Sequence, residues 1–281
     1  MDREYVLTVL GVVLTGLAFR VGAYWPLRDP LVVGIPRQAE RRYWREIWTP
    51  LAPAAVALCA LAGWAALEPD DSELVPWTLW LLSIPCVFIW MRAIWRAVKA
   101  LTRQPAVRAA GVMGLWRPRI VISDQFRARI DEPSAAAAIA HEAAHVRHRD
   151  PLRLWLAQCA TDLQWPSRRA AERLRTWMQV VECARDDEAR EAGIEGADLA
   201  AAILAAVGLY EAERCAPALG GEPTDLETRI RRLLEPAPSG EPVGYSVLAL
   251  VLASTPVLVG VAIAGALFGE AIVSGVFILL P

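Results

Sequence analysis

The chain has 281 residues, 55% of them hydrophobic, and a mean hydropathy of +0.32, which is high for a protein that folds entirely in water. Its formal net charge of −2 gives no electrostatic reason to expect nucleic-acid binding. The five cysteines are odd in number and form no CxxC pair, which disfavours both a disulfide framework and a cysteine-based zinc site.

Long apolar stretches predict a membrane protein, since a helix of about 20 residues crosses a bilayer. The first stretch begins almost at the N-terminus, where a cleaved signal peptide is the alternative. An uncleaved span is favoured because Asp2 and Glu4 interrupt the positive start that signal peptides carry. The predicted spans are residues 5–24, 51–67, 75–95 and 244–268, the last followed by a short tail to residue 281.

The charges of the loops predict the orientation of these spans. Residues 25–50 carry five arginines, whereas residues 68–74 carry four carboxylates and no basic residue. The positive-inside rule therefore places the first loop in the cytoplasm and the second outside. We expect a multi-pass plasma-membrane protein with three spans in residues 1–95, a cytoplasmic domain in residues 96–243, and a fourth span and tail in residues 244–281.

The cytoplasmic segment begins with a predicted strand and a predicted helix. Residues 114–123 read GLWRPRIVIS, and their β-branched centre at Ile120–Ile122 favours a strand. Asp131 is placed to cap the next helix, which an alanine run continues. We expect that helix to end near Asp150–Pro151, because the residue before a proline disfavours the α conformation.

The predicted helix contains the motif HEAAH. Residues four apart share one helix face, so His141 and His145 can bind one Zn²⁺. Glu142 would then lie beside a metal-bound water and could take its proton. All three histidines of the chain lie within eight residues, which disfavours a chance motif.

A catalytic zinc site needs a third protein ligand, and a second predicted helix over residues 168–192 offers one. Glu182 and Asp186 share a face of it, so Glu182 could bind the metal while Asp186 accepts the free N–H of a ligand histidine. From spacing alone, an ordinary solvated acidic face is an equally good interpretation.

The third histidine, His148, is a poor ligand candidate. It lies about 10 Å further along the helix axis than His141, so a straight helix does not bring it to the same metal. We expect it to face solvent or the substrate side, where it or an arginine could stabilise an oxyanion.

Three sequence blocks together resemble the BlaR/MecR group of membrane metallopeptidases: GLWRPRIVIS, HEAAHVRHRDPL and ECARDD. The later TDLETRIRRLL resembles the arginine-containing helix near the end of that family's protease domain. The resemblance covers residues 90–235. It implies a Zn²⁺ site whose ligands are His141, His145 and Glu182, with Glu142 as general base and Asp186 behind the ligands.

The resemblance also implies a fold and a function. The fold would be mainly α, a four-span helical membrane protein with a cytoplasmic zincin-like α+β metallopeptidase domain. Its partners would be the lipid bilayer and a cytoplasmic protein substrate, such as a transcriptional repressor, cleaved in a signalling pathway. Well-known members carry an extracellular penicillin-binding domain after the last span; we expect none here, and so no direct β-lactam sensing.

Three alternatives remain at the level of sequence. A protease of the HtpX or CAAX-processing type shares HExxH and ExxxD and would act in quality control or processing. A non-catalytic zinc-containing signalling module would not need Glu142. A structural membrane protein with a chance motif would leave the acidic helix unexplained. The sequence also leaves open whether the chain pairs with a second copy.

Overall fold

The computed structural model describes residues 3–24, 36–67, 77–102, 107, 109–212 and 223–235. This part of the chain is mainly helical and contains one small antiparallel sheet. The predicted fourth span, residues 244–268, lies outside the described residues. In chain order the elements are α1 (Arg3–Ala23), α2 (Pro36–Trp48), a 3-10 turn (Thr49–Leu51), α3 (Ala52–Leu67), α4 (Trp77–Thr102), β1 (Ala110–Met113), β2 (Arg119–Ile122), α5 (Asp124–Arg127), α6 (Glu132–Arg147), α7 (Asp150–Leu163), α8 (Arg168–Glu191), α9 (Gly196–Ala212) and α10 (Pro223–Leu234).

Two helical stretches of the described residues are long and apolar enough to cross a membrane. The first, Pro36–Gly63, runs from α2 through the 3-10 turn into α3, so it begins well before the predicted second span. The second, Trp80–Thr102, continues past the predicted end of the third span at residue 95. The first predicted span contains a shorter apolar helix, Leu7–Ala23.

Helix α1 ends against the corner between α2 and α3. A Cβ atom at Gly22 would lie 1.8 Å from the carbonyl oxygen of Pro50, so only glycine permits this approach. The Ser167 hydroxyl donates a hydrogen bond to the Ala23 carbonyl at 3.2 Å, at the start of α8. The end of α1 is therefore attached both to the α2–α3 corner and to α8.

Helix α4 is joined to α7 by buried charge. Asp162 of α7 is 5% exposed and accepts hydrogen bonds from Arg92 at 3.0 Å and from Arg96 at 2.9 Å. The Trp155 indole N–H donates to the Ala97 carbonyl at 3.2 Å. These contacts attach the C-terminal end of a candidate membrane span to the folded region that follows it.

The two strands form a hairpin, of which the sequence predicts only the second strand. Met113 pairs with Arg119 next to the turn, and Ala110 pairs with Ile122 at the open end. The turn begins at Gly114, whose φ of 96° is accessible to glycine at little cost. The observed β2 extends the predicted Ile120–Ile122 strand by one residue.

Helix α6 lies against the hairpin, α8 and α9, and small side chains allow this packing. Ala137 and Ala144 are fully buried, and Ala138 packs with Phe126 and residues of α9. As predicted, Asp131 caps the helix by accepting a hydrogen bond from the Ser134 N–H at 3.0 Å. The alanine run thus both favours the helix and lets neighbouring elements approach it closely.

The prediction that α6 ends near Asp150–Pro151 is wrong by about one turn. The helix ends at Arg147, and Arg149 adopts the left-handed conformation with φ 52°. Asp150 then begins α7, with Pro151 in the first turn, where proline's missing N–H costs no helical hydrogen bond. Pro151 therefore lies in the first turn of a new helix, which begins directly after the left-handed residue Arg149.

Helix α2, which the sequence treats as part of a loop, packs into the same core as the site-bearing helices. Tyr43 and Ile47 are buried against Trp177 and Val181 of α8 and against α7. Arg37 of α2 also forms an ion pair with Glu191 of α8, and this pair lies at the surface. The folded region therefore includes α2 besides the elements that follow residue 96.

Candidate active site

Helices α6 and α8 bring the three predicted metal ligands together. The Nε2 atoms of His141 and His145 are 3.0 Å apart. The carboxylate of Glu182 lies 3.5 Å from His141 Nε2 and 3.6 Å from His145 Nε2. One ligand atom from each residue can be chosen so that all lie within 4.8 Å of one another. The two sequence motifs therefore converge on one point in the fold.

This donor set fits a single tetrahedral cation such as Zn²⁺. With metal–ligand bonds of about 2.0–2.1 Å, neighbouring donor atoms of a tetrahedron lie about 3.4 Å apart. The separations of 3.0, 3.5 and 3.6 Å lie close to that value. Two imidazoles and one carboxylate also form a donor set that catalytic zinc sites use, with the fourth position left for water.

Each histidine has a carboxylate behind it. His145 donates from Nδ1 to Asp150 at 2.9 Å, which leaves Nε2 free to face Glu182. The Nδ1 atom of His141 lies 2.9 Å from Asp186, an ion-pair contact in which the N–H is not aligned for a hydrogen bond. Asp186 therefore lies behind His141 without the predicted hydrogen bond to its N–H, whereas Asp150 is hydrogen-bonded to His145.

Arg229 of α10 joins the two acidic residues of α8. Its guanidinium donates two hydrogen bonds to the Asp186 carboxylate and also lies 2.9 Å from Glu182. Asp186 is 2% exposed, whereas the Glu182 side chain is 41% exposed and lines the cleft. The arginine thus neutralises a buried carboxylate and holds the side chain of a predicted ligand.

The charges of the site shift the pKa values of its members. Burial acts to lower the pKa of His141, but Asp186 and Glu182 outweigh it and hold the value at about 9. A metal that binds His141 must therefore displace a proton at neutral pH. Burial raises the pKa of Glu142, which moves it in the direction useful for a general base. Burial also raises the pKa of Cys183 to about 11, so this thiol stays protonated at neutral pH.

Glu142, His145 and Glu182 open onto a cleft of about 1870 Å³. Its walls are built by the hairpin, the C-terminal end of α4, and helices α7 and α8. Val112 and Met113 of β1 line it, whereas Ile120–Ile122 of the predicted strand lie outside the lining. The cleft is large enough to admit an extended segment of polypeptide next to the three ligands.

His148 does not join the ligand set. Its side chain is 44% exposed, and its Nε2 atom lies 2.8 Å from Glu188 of α8. Arg147 donates to the same carboxylate at 2.8 Å. The structure therefore places His148 at the solvent-exposed contact between α6 and α8, whereas Arg229 lies beside Glu182 and His141.

The sequence predicts no role at the site for Asp150, Arg185 or Arg229, although Asp150 contacts His145, Arg185 contacts Asp150, and Arg229 contacts Glu182. Asp150 and Arg229 lie within blocks that carry the family resemblance, so an aspartate five residues after the second histidine was a usable signal. Arg185 is 1% exposed and contacts Asp150. No pattern in the sequence indicates that Arg185, the arginine within ECARDD, is buried.

Comparison with protein families finds a match for residues 90–167, to the model described as BlaR1 peptidase M56. The matched segment includes the hairpin, α6 with HEAAH, and α7. Comparisons with curated proteins and with solved structures found no match. The resemblance to the BlaR/MecR-type metallopeptidases that the sequence blocks predict is therefore confirmed over this segment.

Proposed function

We propose that the chain is a membrane-embedded zinc metalloendopeptidase that cleaves a cytoplasmic protein in a signalling pathway. The family match and the two apolar helices support a membrane-associated metallopeptidase. The observation that carries the proposal is the convergence of His141, His145 and Glu182 at tetrahedral spacing, with Glu142 facing the same cleft. A purely structural zinc site would need neither the cleft nor the glutamate.

The chemistry follows from the residues around the cleft. Zn²⁺ bound by the three ligands would polarise a water and the scissile carbonyl. Glu142 would accept a proton from water in the cleft and return it to the leaving amine. Asp150 orients the His145 imidazole through a hydrogen bond to Nδ1, and Asp186 lies beside Nδ1 of His141, while the two Nε2 atoms are 3.0 Å apart. Among the described residues, Arg229 lies next to Glu182 and is our candidate for stabilising the negative charge that would develop on the carbonyl oxygen.

The substrate is proposed to bind as an extended segment beside the hairpin. In a two-stranded sheet each strand has an edge without a β partner, and such edges commonly pair with extended peptides. Val112 and Met113 place β1, rather than the predicted β2 segment, at the wall of the cleft. The substrate we propose is a transcriptional repressor or another cytoplasmic regulator.

The location proposed for the protease domain is the cytoplasmic face of the plasma membrane. Helix α2 carries four arginines of the predicted first loop and packs on α7 and α8, which supports a location of that loop and the site on the same side of the membrane. The positive-inside rule assigns that side to the cytoplasm.

The proposal is tested by comparing cells that carry the wild-type chain or Glu142→Gln. The variant should keep about one zinc per chain, because Glu142 is not a ligand, while cleavage falls by about 10²–10⁴-fold. New N-termini in cytosolic proteins, quantified by mass spectrometry, should be present only with the wild type. A matched control is Glu132→Gln, an exposed glutamate on the same helix, which should cleave like the wild type.

Three outcomes would contradict the proposal. Full cleavage by Glu142→Gln would remove the base assignment. Full zinc occupancy in purified Glu182→Ala would show that this residue is not a ligand. New N-termini confined to unfolded or prenylated proteins would favour the quality-control or processing protease instead.

A further inference from the structure

A buried cluster of charge lies behind the second metal ligand and includes one residue from α2. Glu40 of α2 is 6% exposed and Asp150 of α7 is 6% exposed. Between them lies the guanidinium of Arg185, which is 1% exposed. Charged groups are almost never buried to this extent unless they are paired, so the three side chains have specific partners.

The contacts form a continuous path from α2 to the metal site. Glu40 accepts hydrogen bonds from both Nη atoms of Arg185, at 3.0 and 3.2 Å. Arg185 in turn donates to both oxygens of Asp150. Asp150 accepts the Nδ1 hydrogen of His145 at 2.9 Å. Arg153 adds a bridge, because its Nη1 atom donates to both carboxylates.

The charge of Glu40 decides how strongly Arg185 acts on Asp150. Arg185 divides its donors between two carboxylates, so neither carboxylate takes the whole guanidinium. Without the charge of Glu40, Asp150 alone must balance both Arg185 and Arg153, and its lone pairs are drawn away from His145. A weaker bond to Nδ1 loosens the ring and lowers the basicity of Nε2, the atom that faces the other ligands.

We propose that Glu40 is a positioning residue for the metal ligand His145, acting through Arg185 and Asp150. It thereby couples the helix that continues into α3, a candidate membrane span, to the affinity of the site for its metal. The proposal rests on the proposed function of His141, His145 and Glu182 as ligands. Glu40 lies outside residues 90–167, which match the peptidase family, so its role is an addition to that segment.

The test is a metal titration of the purified full-length chain in detergent micelles. Zn²⁺ affinity is measured by competition with a chelating dye, and bound Co²⁺ is examined by its visible absorption. Glu40→Gln should raise the Kd for Zn²⁺ about 10-fold, at the lower end of the effect of groups that orient metal ligands. The Co²⁺ spectrum should also change, because the orientation of His145 changes.

The matched control is Glu191→Gln. It removes another ion pair between α2 and α8, that of Arg37 with Glu191, which is at the surface and has no contact with Asp150. Its Kd should equal that of the wild type. A Kd for Glu40→Gln that equals this control would overturn the proposal.

A double-mutant cycle separates positioning from a general structural role. Asp150→Asn should itself weaken Zn²⁺ binding, and adding Glu40→Gln to it should change the Kd by less than about 2-fold, because the path is already broken. Independent, multiplicative effects of the two substitutions would overturn the path through Asp150.

Two further measurements keep the test decisive. If Glu40→Gln does not fold, Glu40→Asp is titrated instead; it keeps the charge but withdraws it by one methylene, and a Kd equal to that of the wild type would contradict the proposal.

Wild type and His145→Ala are titrated in parallel. A wild type that binds no zinc contradicts the proposed function, whereas normal wild-type binding with an unaffected Glu40→Gln contradicts only the role of Glu40.

Discussion

The two acidic residues of the ECARDD block have different surroundings, which bear on the two interpretations that spacing leaves open. Asp186 is 2% exposed and is enclosed by His141 and Arg229, so it is not part of a solvated acidic face. Glu182 is 41% exposed, and that exposure is towards the cleft beside both histidines. One carboxylate is thus placed to orient a ligand and the other to be one.

The buried pair of Arg229 and Asp186 should contribute strongly to stability. Arg229→Met leaves the Asp186 carboxylate buried without its main partner, which should lower the free energy of unfolding by about 3–5 kcal/mol. Arg231→Met is the matched control on the same helix, since its pair with Glu227 is exposed and should be worth less than about 1 kcal/mol. Denaturant unfolding of the metal-free proteins, followed by circular dichroism, measures both; equal losses would contradict the prediction.

The sequence predicts residues whose own side chains could bind a metal or take a proton. It does not predict residues that act only through contact with another side chain. His141, Glu142 and Glu182 have side chains and spacings that suggest a metal site before any fold is known. Neither residue type nor spacing distinguishes Arg185 and Glu40 in the sequence. Their role arises because α2 packs on α8. Nothing local to α2 indicates that contact, which joins residues 145 positions apart.

At the scale of elements, helices with a strong local pattern were predicted well and those defined by packing were not. The predicted amphipathic helix over residues 168–192 corresponds to α8, and Asp131 caps α6 as expected. Strand β1 was missed because AGVM is short and begins with small residues. Its conformation depends on pairing with β2, which is a tertiary contact.

The alanine run of α6 should tolerate a large side chain on one face only. Ala137 is fully buried against α9, so Ala137→Leu should cost about 1–3 kcal/mol through overpacking. Ala136 is exposed one position earlier, and Ala136→Leu should change stability by less than about 0.5 kcal/mol. Thermal unfolding of the two variants provides the comparison, and equal shifts in Tm would argue against the close approach of α6 and α9.

The contact between α6 and α8 at Glu188 should be sensitive to acid. Burial acts to raise the pKa of Glu188, but hydrogen bonds from Arg147 and His148 outweigh it and hold the pKa below its usual value. A carboxyl group with a lowered folded-state pKa stabilises the protein fully above its unfolded pKa of about 4.3 and loses that contribution as the pH falls through the folded value.

Glu188→Gln should therefore lower the Tm at pH 7, and the difference from the wild type should shrink below about pH 4. Both proteins are measured with a chelator present, so that release of metal does not contribute. Glu227→Gln, which removes an exposed carboxylate on α10, serves as the control and should show little difference at either pH. A difference for Glu188→Gln that persists unchanged at pH 3 would be inconsistent with this contact.

At the scale of the whole molecule, the candidate membrane helices and the site-bearing helices are joined at several points. Asp162 attaches α4 to α7, and the α2–α3 stretch enters the core beside α8. The sequence predicted separate membrane and soluble parts because hydropathy is read along the chain. The contacts between the parts are made by charged and aromatic side chains whose partners are distant in sequence, as with Arg92 over the ring of Trp165.

The predicted orientation can be tested by labelling single cysteines in a chain whose five native cysteines are replaced by alanine. A membrane-impermeant maleimide should label Ser72→Cys in intact cells, because the acidic loop 68–74 is predicted to face outward. Glu132→Cys, at an exposed position on α6, should be labelled only after permeabilisation. The reverse pattern would place the site on the outside and would contradict a cytoplasmic substrate.

Because α1 is attached to the start of α8, we expect the thickness of the bilayer to affect the geometry of the site. A helix whose apolar length exceeds the thickness of the bilayer responds by tilting, at a modest cost in free energy. The C-terminal end of α1 has little freedom to tilt alone, because Gly22 touches Pro50 and the Ala23 carbonyl bonds to Ser167. We therefore expect tilt of α1 to move the first turn of α8, the helix that carries Glu182 four turns further on. Lipid composition would then act on this protein through the geometry of its ligands.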